Sequence, residues 1–89
     1  MKRSRVTLVN RLGLHARAAS KLVQKAAGFE SDIWLTRDQR RVNAKSIMGV
    51  LMLAAPVGTE LTLECEGPDE QDAHAALVDL IADRFGEQE

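Results

Sequence analysis

Val6-Thr7-Leu8-Val9-Asn10-Arg11-Leu12-Gly13-Leu14-His15-Ala16-Arg17-Ala18-Ala19-Ser20 is the stretch from which the rest of the chain can be read. Its first four residues are apolar or β-branched, as in a strand, whereas Ala19, Leu22, Val23 and Ala26 recur at helical spacing. A strand over about Arg3 to Val9, a glycine-containing loop and a helix from Ala16 to Ala27 therefore follow one another, with His15 at the joint. The helix is expected to close at Gly28 in the left-handed conformation.

Outward from this joint the pattern continues without repeats, low-complexity tracts or linkers. Ser31 to Arg37 alternates, with Ile33 and Leu35 on one face and Trp34 on the other. Trp34 fits either the core or an open sheet face, and the open face suits the inward pair better. Asp38-Gln39 turns the chain into Arg40-Arg41-Val42-Asn43, whose charge suits an edge strand. Ser46 is a good N-cap for a short helix from Ile47 to about Leu53, although Gly49 weakens it. Glu60 to Glu66 alternates as a strand. After Gly67-Pro68, a last helix buries Ala73, Ala76, Leu77, Leu80 and Ile81, with Phe85 near its end and Gly86 as a stop. Phe29 is expected to fold back onto the core, and His74 to lie beside the last helix's stripe as a partly exposed surface residue.

The order is β-α-β-β-α-β-α in one domain, residues 1–89. A four-stranded antiparallel sheet with three helices on one face accommodates it, the other face remaining in water. With 45% hydrophobic and 28% charged residues, the composition is that of a soluble globular protein. Neither a membrane span nor a secretory signal is recognisable, so a cytoplasmic location is expected. Cys65, the single cysteine, permits no internal disulfide and reads as a small buried hydrophobe. Charge is unevenly distributed: residues 1–45 sum to +8 and residues 46–89 to −9. A basic half suits an anion or an acidic partner, or is merely scattered surface charge. Nucleic acid is disfavoured, because three aromatic residues build no stacking platform and the acidic half repels phosphates.

If His15 is the cap residue, the amides of Ala16, Arg17 and Ala18 have no helical partner and favour an anion. A neutral imidazole there keeps a ring-nitrogen lone pair, which a nucleophile needs near neutral pH. Arg17 adds a positive fork suited to phosphoryl oxygens. No carboxylate lies nearby in sequence to activate water, and no P-loop binds a nucleotide. Two alternatives remain open on the residues alone: an imidazole that is phosphorylated, or a histidine that only caps a helix. A metal site has no ligand set.

Asn10-Arg11-Leu12-Gly13-Leu14-His15-Ala16-Arg17, followed by Asn43-Ala44-Lys45-Ser46-Ile47-Met48-Gly49-Val50, resembles the histidine-containing phosphocarrier (HPr) family of the bacterial phosphoenolpyruvate-dependent phosphotransferase system. The resemblance covers the chain in length and element order. It implies an α+β open-faced β-sandwich without cofactor. His15 would accept a phosphoryl group at Nδ1 from phosphorylated enzyme I and pass it to an EIIA-type protein, with Arg17 stabilising the phosphate. The protein would be a stoichiometric phosphotransfer intermediate and a monomer. Ser46 matches the family's regulatory serine, phosphorylated in some members by HPr kinase/phosphorylase; a plain N-cap is the other reading. Ile47 and Met48 match an exposed apolar contact that Arg17, Lys21 and Lys45 would ring, whereas core packing is the other role for methionine. Ala18 departs from the proline of many sugar-transport members and resembles the nitrogen-related (NPr) branch, whose members regulate. The sugar-transport branch, or a binding module switched at His15 or Ser46, is the alternative.

Overall fold

The computed structural model describes residues 1–89. Strands β1 (Lys2–Thr7), β2 (Asp32–Arg37), β3 (Arg40–Asn43) and β4 (Glu60–Glu66) form one sheet in the order β1-β4-β2-β3, every pair antiparallel. Helices α1 (Ala16–Ala27), α2 (Ile47–Met52) and α3 (Glu70–Ala82) cover one face, giving the expected open-faced α+β sandwich.

Strand alternation produces the two faces. Val6, Ile33, Leu35, Leu61, Leu63 and Cys65 point inward and are buried, meeting Ala18, Ala19, Leu22 and Ala26 of α1 and Ala73, Leu77 and Ile81 of α3. Ala76 and Leu80 are only half-buried, so the α3 stripe is narrower than the sequence indicates. Phe29 packs against the core as expected. On the open face Trp34 carries the Arg41 guanidinium 4.2 Å from its ring centroid. Glu64 lies between Arg3 at 4.0 Å and Arg41 at 3.3 Å. Cys65 is buried and free; burial, then the charges of Glu70 and Asp69, push its thiol up to about 11.

Several boundaries differ from the sequence reading. β1 stops at Thr7, and Leu8 remains buried while its amide donates to Thr59 O at 3.0 Å and its carbonyl accepts from Gly58 at 2.8 Å. Gly28 closes α1 in a right-handed conformation, φ −76° and ψ −4°, so the left-handed cap is not used. α2 ends at Met52, where Arg37 donates to the carbonyls of Leu53 and Ala54, both at 2.9 Å. α3 ends at Ala82 rather than reaching Phe85. Arg84 and Phe85 have φ of 58° and 56°, which reverses the chain and turns Phe85 into the core. His74 is half-buried and hydrogen-bonded to Ser4 Oγ at 2.6 Å, which ties α3 to β1. Asp69 fixes the start of α3 by accepting from the amides of Glu30 and Ser31 and from the Ser31 hydroxyl.

Candidate functional site

Gly13 sets the position of His15. Its φ is +64°, and a Cβ there would lie 2.4 Å from the Ala55 carbonyl oxygen and 2.8 Å from Pro56 Cα. Only glycine lets the loop lie this close to residues 55–56. The next amide, Leu14, donates to Ala55 O at 2.9 Å, and Leu14 is buried. His15 therefore leaves the loop from two fixed neighbours.

His15 is the N-cap of α1, in extended conformation, and its side chain makes no capping hydrogen bond. The first-turn amides of Ala16, Arg17 and Ala18 consequently keep no intrahelical partner, as the sequence indicates. Ala16 and Arg17 are exposed, but Ala18 is wholly buried in the core, so its amide, expected to face an anion, does not reach the surface. His15 and Arg17 open onto one depression, which Arg11, Lys21 and residues 86–89 also line.

The ring turns instead toward the other end of the chain. Glu87, 72 residues away in sequence, places its carboxylate against His15 Nε2. The same carboxylate accepts from Asn10 Nδ2 at 3.1 Å, and Asn10 also donates to Gly13 O at 2.8 Å. Burial raises the Glu87 carboxyl, but the hydrogen bonds from Asn10 and His15 outweigh it and hold the group below its ordinary range. The tail is itself secured. Phe85 is buried, Lys21 Nζ donates to Phe85 O at 2.7 Å, and Arg11 meets Glu89 through its backbone amide and its guanidinium, the latter at 3.3 Å. Sequence reasoning missed Asn10 and Glu87. Separation hides Glu87, and Asn10 reads as an ordinary loop residue.

The second motif lies on the neighbouring helix, since α1 and α2 pack together. Ser46 caps α2 by accepting from the Gly49 amide at 3.1 Å, and it is exposed. Ile47 and Met48 are exposed by 38% and 66%, and Met52 by 58%. Val50 and Leu53 instead enter the core. Lys45 donates to Phe29 O at 2.8 Å, so Lys45 and Lys21 are both tethered to backbone carbonyls, whereas Arg17 is exposed without such a tether. No cluster of His, Cys, Asp and Glu is suited to a metal ion, and no helix is long and apolar enough to cross a membrane.

Known proteins resemble the chain in sequence and in fold. Residues 2–83 match the family model described as the PTS HPr component phosphorylation site. The chain is 59% identical over 83 residues to phosphocarrier protein HPr of Cupriavidus necator, covering 93% of each. It is 51% identical to phosphocarrier protein HPr of Neisseria meningitidis over 89 residues, covering all of both. The crystal structure of HPr-C-His from Thermoanaerobacter tengcongensis superposes with a TM-score of 0.97 at 47% identity over the whole of both chains. Sheet order, the histidine at the open helix end and these matches together place the chain in the HPr family of phosphocarrier proteins of the phosphotransferase system.

Proposed function

We propose that His15 accepts a phosphoryl group at Nδ1 from phosphorylated enzyme I and hands it to an EIIA-type protein. The observation that carries this is His15 at the uncapped N-terminus of α1, sharing one open depression with Arg17. Amides of Ala16 and Arg17 and the Arg17 guanidinium supply donors for the phosphoryl oxygens. An open depression suits transfer between proteins, because each partner supplies the rest of the enclosure. The chain acts as a stoichiometric carrier without cofactor or metal, working in the cytoplasm as a monomer.

Both partners dock in turn over Arg17, Ile47 and Met48, with Lys21 and Lys45 at the margin. Exposed methionine adapts to two different surfaces. Ser46 is a regulatory site for HPr kinase/phosphorylase, reachable because its hydroxyl is exposed while it caps α2. The run His15-Ala16-Arg17-Ala18-Ala19, with alanine where many sugar-transport members carry proline, supports assignment to the regulatory nitrogen-related branch.

The test supplies phosphoenolpyruvate with enzyme I of either branch, then an EIIA-type acceptor, and measures phosphoryl arrival by mass. Faster charging by the nitrogen-related enzyme I supports the assignment. Faster charging by the sugar-branch enzyme moves the protein to sugar transport, and no charging by either overturns the carrier role.

A further inference from the structure

The residues that make His15 a usable nucleophile extend beyond the helix end. An imidazole can react at Nδ1 only if that nitrogen carries the lone pair, so the ring proton must lie on Nε2. An isolated imidazole exchanges between the two tautomers. Here an ionised carboxylate, which only accepts hydrogen bonds, sits against Nε2. Glu87 is itself held by Asn10, whose Nδ2 donates both to Glu87 Oε1 at 3.1 Å and to Gly13 O at 2.8 Å. Phe85, buried two residues earlier, and the Arg11 contacts to Glu89 hold the tail on both sides of Glu87.

We propose that Glu87 is the positioning residue of the site. By accepting a hydrogen bond from Nε2 it keeps the proton there, leaves the lone pair on Nδ1, and is set in register by Asn10. The consequence for transfer rests on the phosphocarrier reading; the tautomer does not. In the transfer step the Nδ1 lone pair forms the N–P bond as the donor's bond to phosphorus breaks and its electron pair returns to the donor. His15 keeps its Nε2 proton throughout, so the ring becomes a phospho-imidazolium whose positive charge faces the Glu87 carboxylate. No proton needs to leave the site.

The geometry separates this role from simple tail packing. In Glu87→Gln, Asn10 Nδ2 requires the carboxamide oxygen on its side, so the carboxamide nitrogen faces His15 and donates to Nε2. That reverses the tautomer and blocks Nδ1. Glu87→Ala merely frees the ring. A positioning role therefore makes the near-isosteric Gln variant worse than the truncation, opposite to the order that packing alone would give.

The experiment reads the His15 tautomer from imidazole 15N chemical shifts at roughly pH 8.5, where an ordinary imidazole is neutral. His74 in the same spectrum reports that the fold is intact. Wild type is expected as the Nε2–H form, Glu87→Ala as a mixture, and Glu87→Gln predominantly as Nδ1–H. Phosphoryl transfer from phosphorylated enzyme I should slow by about tenfold or more in Glu87→Gln, comparable to histidines that lose an orienting partner elsewhere, and Glu87→Asp should recover part of it. A mixed or Nδ1–H wild-type ring, or the same tautomer in all three proteins, overturns the proposal. The spectra need no phosphoryl donor, so failure of phosphocarriage in the transfer assay is told apart from failure of Glu87 to orient the ring.

Discussion

Gly13→Ala perturbs the loop that sets His15, and its cost can be worked out from the local geometry. The residue sits at φ +64°, and the added methyl would approach the Ala55 carbonyl oxygen to 2.4 Å and Pro56 Cα to 2.8 Å. Holding a residue with a Cβ in the left-handed region costs ~1–2 kcal/mol. Forcing a methyl into packed backbone costs ~1–3 kcal/mol. Alanine restricts the unfolded chain and returns ~0.4–1 kcal/mol, which leaves a net loss of about 1–4.6 kcal/mol, centred on ~3 kcal/mol. At ~4–8 °C per kcal/mol for a domain of this size, that central loss of ~3 kcal/mol should lower the melting temperature, followed by circular dichroism, by roughly 12–24 °C. Gly58 supplies the control: its φ is +87°, but a Cβ there meets nothing within 4 Å. Gly58→Ala should therefore lose only the conformational part, about 1 kcal/mol or less. Melting temperatures for the two variants within about 5 °C of each other would show that the close approach of the loop to residues 55–56 does not govern this region.

Three further outcomes follow from other parts of the molecule. The hydroxyl and amide of Ser31 and the amide of Glu30 donate to Asp69 and hold its carboxyl below the ordinary range. A depressed folded-state value stabilises above the unfolded value, ~3.9, and this is lost as pH falls through the lower folded value. The urea midpoint should accordingly drop with pH in that acid range, and drop less in Asp69→Asn; equal slopes would remove Asp69 from the acid response. Cys65, buried with its thiol raised to about 11, should resist a disulfide-exchange reagent at roughly pH 8 until urea unfolds the chain, and reaction at the rate of a free thiol in the native protein would contradict its burial. Met48→Glu, at a position 66% exposed, should slow charging by enzyme I by roughly tenfold, a typical interface loss, with unchanged melting; an unchanged rate would take Met48 out of the docking surface.

Alternation and helical spacing make the sheet, its open face and the three helices legible in the sequence, because both periods report local burial. Trp34 was placed on the open face for the same reason, and Arg41 now explains how its ring is covered there. The His15 joint was legible as well, since helix-end amides are a local consequence of where the helix begins. What escaped depends on distance along the chain. Glu87 reaches His15 only because three consecutive positive-φ residues, Arg84, Phe85 and Gly86, reverse the chain after α3 and bury Phe85. Helical spacing had placed Phe85 near the end of α3, and the pattern contains no sign of that reversal. Gly28 shows the opposite error: glycine permits a left-handed cap, but permission does not compel it. Lys21 and Lys45 are expected to ring the exposed apolar contact, but no sequence pattern reveals that Phe85 O and Phe29 O take their ammonium groups.

Phosphoryl capture at His15 is the central claim, and intact mass measurement tests it most directly. Wild-type protein incubated with phosphoenolpyruvate and enzyme I should gain the mass of one phosphoryl group, lose it on brief acid treatment as a phosphohistidine does, and show no gain in His15→Ala. No gain on wild type, a gain that survives acid, or an equal acid-labile gain in His15→Ala would contradict phosphorylation at His15.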